Sequence, residues 1–178
     1  TTGGEIKNQV WFAELDDNFS ISLLKQIIFA PSNLKVKRGV EDAKLFWRDG
    51  SWYFTAIMLE KEHTPRARVV LYKYDHETNI ASLVEKYEGP DWGKPEKNWM
   101  APSIRSDKFD YIYNPISIYK TGVGPVQVRE LSEDIRHVRG GSQLVGLDDG
   151  RYLAIVHEAD VRKVKVTIPR MFTVKDVS

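Results

Sequence analysis

The stretch Gly39–Glu60, GVEDAKLFWRDGSWYFTAIMLE, decides how the rest of the chain is read. Two runs rich in aromatic and β-branched residues flank Asp49-Gly50. That dipeptide suits a two-residue hairpin turn, where both central residues need positive φ. The stretch therefore reads as two antiparallel strands, and the first of them opens on two adjacent carboxylates, Glu41 and Asp42. The same grammar returns twice downstream, in NWMAPSIRSDKFDYIYNPIS (Asn98–Ser117) and GGSQLVGLDDGRYLAIVHEAD (Gly140–Asp160). Each unit has a polar or glycine-bearing start, a short apolar strand, an Asp-containing turn and an aromatic-rich strand. The turn aspartates Asp49, Asp107 and Asp149 stand 58 and 42 residues apart, an irregular repeat.

Further strands read at Arg66–Asp75, Ala81–Tyr87 and Val164–Val174. Phe19–Phe29 has an apolar pattern that could be helical. Its β-branched content and the poor N-cap at Asn18, with no acid three residues on, favour strand. Four antiparallel strands per unit at this period mark a β-propeller blade. The expected fold is all-β, a propeller in one domain spanning 1–178, with units 1–38, 39–95, 96–138 and 139–178. That amounts to about three blades, whereas closed propellers have ~4–8. The remaining blades are expected from missing sequence or from another chain, and the start at Thr1-Thr2-Gly3-Gly4 reads as a trimmed N-terminus.

Composition narrows the chemistry. Twenty-six lysines and arginines almost cancel 25 aspartates and glutamates, for a net charge of +1. No nucleic-acid or membrane partner is expected on the basis of bulk charge. The chain has no cysteine, which removes disulfides and thiolate chemistry. His63, His76 and His137 lack ligand spacing, so no metal is expected. No ~20-residue apolar run or leader pattern occurs in the sequence; a soluble protein is expected, its compartment left open.

Three segments carry a family likeness. GVEDAKLFWRDGSWYFTA (Gly39–Ala56), EKNWMAPSI (Glu96–Ile104) and RGGSQLVGLDDGRYLAIVHE (Arg139–Glu158) occur in this order. Together they resemble the hallmark segments of the five-bladed β-propeller glycosidases and mannoside phosphorylases, glycoside hydrolase family 130 and its relatives. The resemblance implies a five-bladed propeller that acts on carbohydrate in a central funnel. It implies no cofactor, with inorganic phosphate as co-substrate if the enzyme is a phosphorylase. The chain departs from the pattern at Ala43 and Lys44, where the family has proline and arginine, and at Met100-Ala101-Pro102. Lysine keeps the positive charge and loses the planar guanidinium fork.

Within a propeller, the starts of the innermost strands ring one funnel. Glu41-Asp42, Asn98-Trp99 and Arg139-Gly140 would hold those positions. The returning strands would bring Leu59-Glu60 beside Asp42, Asn114-Pro115 beside Trp99 and His157-Glu158 beside Arg139. Glycosidic cleavage needs a carboxyl to protonate the leaving oxygen. Inverting hydrolysis adds a second carboxylate, about 6.5–9.5 Å away, to activate water. Asp42 is the candidate acid and Glu158 the candidate second carboxylate. Trp99 would stack on sugar; Glu41, Lys44, Lys97, Asn98, Arg139 and His157 would bind hydroxyls or phosphate. Paired carboxylates favour one staying protonated only if both reach the same space. Neighbours in a regular strand point to opposite faces, so the backbone must be irregular there.

A plainer reading stands beside this one. The acids could pair with Lys44, Lys97 or Arg139 as structural ion pairs, in a non-catalytic carbohydrate-binding or structural propeller. Trp47 and Trp52 read as core, and Gly140-Gly141 as a bend where bulk does not fit.

Overall fold

The structure, a computed structural model, describes residues 8–32, 36–60, 67–87, 99–101, 111–112, 117–120, 124–128, 138–160 and 166–175. Among them are fourteen strands and no helix. In chain order these are β1 (Trp11–Leu15), β2 (Ile21–Gln26), β3 (Ile28–Phe29), β4 (Val36–Arg48), β5 (Ser51–Glu60), β6 (Ala67–Asp75) and β7 (Ile80–Lys86). They continue with β8 (Tyr111–Ile112), β9 (Ser117–Lys120), β10 (Gly124–Val128), β11 (Val138–Gly140), β12 (Val145–Gly146), β13 (Arg151–Asp160) and β14 (Val166–Lys175). The described residues are all-β, and Phe19–Phe29 holds β2 and β3 rather than a helix, with Phe19 in the preceding turn at φ 60°.

The described residues fall into two compact units. In the first, β4 as far as Leu45, β5, β6 and β7 follow one another as neighbours in a five-stranded sheet, with β3 added beside β7. The β4–β5 connection is the two residues Asp49 and Gly50, with φ of 49° and 70°. Both positive values match a type I′ turn, whose twist suits the flanking strands. Phe54–Met58 on β5 and Arg68–Tyr72 on β6 are buried without alternation, so both faces of the sheet's middle are covered.

One of those faces carries Phe54, Ala56, Met58, Val70, Tyr72 and Tyr74, and Val10, Phe12, Ile27 and Phe29 pack on it. Phe54 stacks on Tyr72 with centroids 5.2 Å apart, and Phe29 meets Tyr72 edge-on at 5.1 Å. Such pairs add ~0.5–1.5 kcal/mol each beyond area burial. Asn79 locks this layer. It sits at φ 62°, a conformation asparagine tolerates. Its Oδ1 accepts from the Tyr74 hydroxyl at 2.8 Å, and its Nδ2 donates to the Gln26 carbonyl. The β1–β2 hairpin turns over Asp16, whose Oδ1 accepts from the backbone N–H of Asn18 and of Ser20.

In the second unit β8, β9 and β10 form one sheet, and β11, β12, β13 and β14 another. β11 and β12 lie along the same edge of β13, with Gly140 opposite Val156 and Val145 opposite Leu153. They are one strand interrupted at Gly141–Leu144. The N–H groups of Gly141 and Ser142 both donate to the Ile155 carbonyl, and Ser142 Oγ accepts from the Ile155 N–H at 2.9 Å. A Cβ at Gly141 would lie 2.9 Å from the Ile155 carbonyl oxygen, so the bend needs glycine there. The next turn is one residue longer than Asp149-Gly150 alone. Leu147 N–H reaches the Arg151 carbonyl at 2.8 Å, and Gly150, at φ 78°, closes a turn on Leu147. This is a three-residue loop ending in a left-handed glycine. Met100, Ile112, Leu144, Tyr152, Ala154 and Val156 form the core of this unit. The turn expected at Asp107-Lys108 lies outside the described residues.

Candidate functional site

The carboxylate pair sits on β4 of the first unit, where the strand is not regular. Gly39 has φ 86° and Asp42 has φ 53°. A Cβ on Gly39 would stand 2.7 Å from the carbonyl oxygen of Asn8, so the Asn8 backbone crosses directly over the glycine. The left-handed turn at Asp42 breaks the two-residue alternation of the strand. Glu41, Asp42 and Ala43 are consecutively exposed, which a flat strand packed on one face would not allow. The irregularity that two adjacent carboxylates need in order to share one space is therefore present.

Both acids line an open groove of about 390 Å³ together with Asn8, Gln9, Val10, Trp11, Val40 and Ala43. That volume is in the ~300–1,000 Å³ range of small-molecule sites. Asn8 Nδ2 donates to Glu41 Oε2 at 3.2 Å, which orients both side chains. Lys44 is half-buried. Burial pushes its ammonium below the ordinary lysine value, and the nearby Asp42 carboxylate opposes that shift.

Trp11 was not singled out as a site residue in the sequence, where it reads as an ordinary strand aromatic. It is 51% exposed and lines the groove. Its neighbours explain why. Val10 and Phe12 pack on the core, and the two-residue alternation turns Trp11 to the opposite side.

In the second unit Arg139 pairs with His157 across β11 and β13, with Val138 opposite Glu158 in the same ladder. The expected neighbourhood of Arg139 with His157-Glu158 is present. Arg139 is exposed and His157 half-buried. Directly opposed residues have Cβ atoms ~4.5–5.5 Å apart, so Arg139 and His157 share one face. Trp99 is 2% exposed, the position of a core side chain and not of an open stacking face. Trp47 departs from its expected core position at 49% exposure, because Phe46 beside it takes the buried side at 4%. Trp52 is half-buried against the first core, as expected. Lys97, Asn98 and Asn114-Pro115 lie outside the described residues. Among the described residues no three His, Asp or Glu side chains gather as a metal site requires.

Comparison with protein families, with curated proteins and with solved structures finds no match.

Proposed function

We propose that this chain is part of a glycoside-processing β-propeller, a hydrolase or phosphorylase, with Asp42 as the group that protonates the leaving oxygen. The observation that carries this reading is the Glu41–Asp42 rim, where a left-handed aspartate holds two carboxylates on one open groove. Four consecutive strands, β4 to β7, in up-and-down order support a blade. The burial of both faces of β5 and β6 supports a sheet stacked between layers. In this reading the propeller is of the five-bladed type, about three blades lie in this chain, and further blades on the same polypeptide or a partner complete the ring.

Bond cleavage on this scheme needs a proton moved from the Asp42 carboxyl to the glycosidic oxygen as the C–O bond breaks. In a hydrolase a second carboxylate removes a proton from the attacking water; in a phosphorylase phosphate attacks in its place. The test is a screen of mannosides, arabinosides and fructosides with and without phosphate, reading free sugar against sugar phosphate. Turnover of one class supports the enzyme. Binding without any turnover supports the alternative, a non-catalytic carbohydrate-binding or structural propeller.

A further inference from the structure

We infer that the outer face of the β1–β2 hairpin docks a second copy of this chain, the two copies packing this face against itself about a two-fold axis. The inference does not depend on how the Glu41–Asp42 groove is read.

The residue pattern of the hairpin is inverted for a pair of strands whose outer side meets water. Cross-strand partners share a face, and Phe12, opposite Lys25, packs on the core. Alternation then puts Phe12 and Glu14, with their partners Lys25 and Leu23, on the inner side. The outer side carries Trp11 opposite Gln26, Ala13 opposite Leu24 and Leu15 opposite Ile21. Ser22 has no partner in this register, a bulge that brings Ile21 round to the side of Leu15. Both charges of the two strands, Glu14 and Lys25, thus fall on the inner side, and the outer residues are apolar apart from Gln26. A hairpin with one wet face normally shows the reverse.

Phe19, at the tip of the same hairpin, is the second observation. Its N–H donates to the Asp16 carbonyl at 2.9 Å, closing the turn, and its φ is 60°. Glycine meets no steric penalty in that conformation, whereas a bulky side chain does. The chain nevertheless places a phenylalanine there, 84% exposed. A turn that only reversed the chain would be better served by glycine. An aromatic ring kept at a strained turn and held out in water suits an anchor for another protein surface.

Area and charge select the partner. Trp11, Leu15, Ile21 and Leu24 are 51–61% exposed. With ~150–250 Å² on an aromatic side chain and about 100 Å² on leucine or isoleucine, these four and Phe19 leave roughly 450 Å² of apolar surface in water. Two copies set face to face bury about 900 Å² from these side chains alone, close to the ~1,000 Å² at which specific interfaces begin. That is the size of a weak, concentration-dependent dimer. A two-fold contact sets each residue near the axis against its own copy, so a charge there would be repelled. The outer side of these two strands carries none.

The test is analytical ultracentrifugation of the full chain over about a thousandfold range of concentration. The mass should rise from one chain to two and stop there, because a contact of like faces closes at two. Leu24→Lys and Leu24→Glu, in the middle of the face, should each leave the chain monomeric. Mixing these two variants should restore a dimer, which a folding defect would not do. Phe19→Gly should weaken association about tenfold. The same variant, melted at dilution where the chain is monomeric, should be no less stable than wild type, since glycine suits φ 60°. Val84→Lys, at an exposed residue of β7 outside the face, should leave association unchanged. A single-chain mass at every concentration overturns the second copy as the occupant of this face. Association that survives Leu24→Lys, a mass that grows past two chains, or a Leu24→Lys and Leu24→Glu mixture that stays monomeric also overturns the inference. Undiminished association in Phe19→Gly removes Phe19 as the anchor.

Discussion

Gly39→Ala tests the backbone arrangement that builds the groove, and Gly50→Ala is its control. Both glycines have left-handed φ, 86° and 70°, where an L-residue costs ~1–2 kcal/mol. Both substitutions also stiffen the unfolded chain by a similar amount, ~0.4–1 kcal/mol. These contributions cancel in the comparison. What differs is the space. A Cβ at Gly50 meets nothing within 4 Å, but at Gly39 it lies 2.7 Å from the Asn8 carbonyl oxygen, where ordinary contact begins at 3.4 Å. The Asn8 backbone must withdraw by roughly 0.7 Å, and backbone shifts forced by overpacking cost ~1–3 kcal/mol. Gly39→Ala should therefore be less stable than Gly50→Ala by about 1–3 kcal/mol, a sizeable part of the ~5–15 kcal/mol that holds a domain folded. Urea unfolding of the two variants gives the difference directly. Since the withdrawal also moves Asn8 from Glu41, sugar binding should drop in Gly39→Ala and not in Gly50→Ala. Equal stabilities for the two would refute the crossing of Asn8 over Gly39.

Two further outcomes concern the second unit. Gln143 is 9% exposed and its Oε1 accepts from the Ala101 N–H at 2.8 Å, with Ala101 itself buried. Gln143→Ala strands that donor and should cost ~1–3 kcal/mol in denaturant unfolding. Arg151 holds the Asp149 carboxyl below its ordinary value of 3.8, through the side-chain hydrogen bond first and the backbone one next. A depressed carboxylate contributes stability that is complete above the unfolded value and is lost as pH falls through the folded one. Melting temperatures between about pH 5 and pH 2 should fall less steeply in Asp149→Asn than in wild type, by a small margin because both partners are about half exposed.

How far the sequence could be read depends on whether a feature is local. Asp49-Gly50 is legible because both residues of a type I′ turn must accept positive φ, and that requirement is written in the dipeptide. Asp149-Gly150 is legible as a turn but not in its length, since Asp148 enters the loop through a hydrogen bond between Leu147 and Arg151. Phe19–Phe29 could be told from a helix by its β-branched residues and missing cap. Asp42 is different. Its left-handed backbone belongs with Gly39 and with Asn8, more than thirty residues upstream, and no pattern around Glu41 announces it. The tryptophans divide in the same way. Trp47 reads as core and Trp11 as an ordinary strand aromatic, yet Phe46 and Phe12 beside them take the buried side, and tertiary packing alone makes that choice.

The most direct test of the account is turnover by Asp42→Asn, measured with its melting temperature on whichever glycoside the wild-type chain cleaves. General acid catalysis contributes ~10²–10⁴-fold. The account predicts a loss of that size on an unactivated glycoside, with sugar binding nearly intact and the melting temperature close to wild type. A well-folded Asp42→Asn protein with unchanged turnover, or one whose only change is a lower melting temperature, would contradict it.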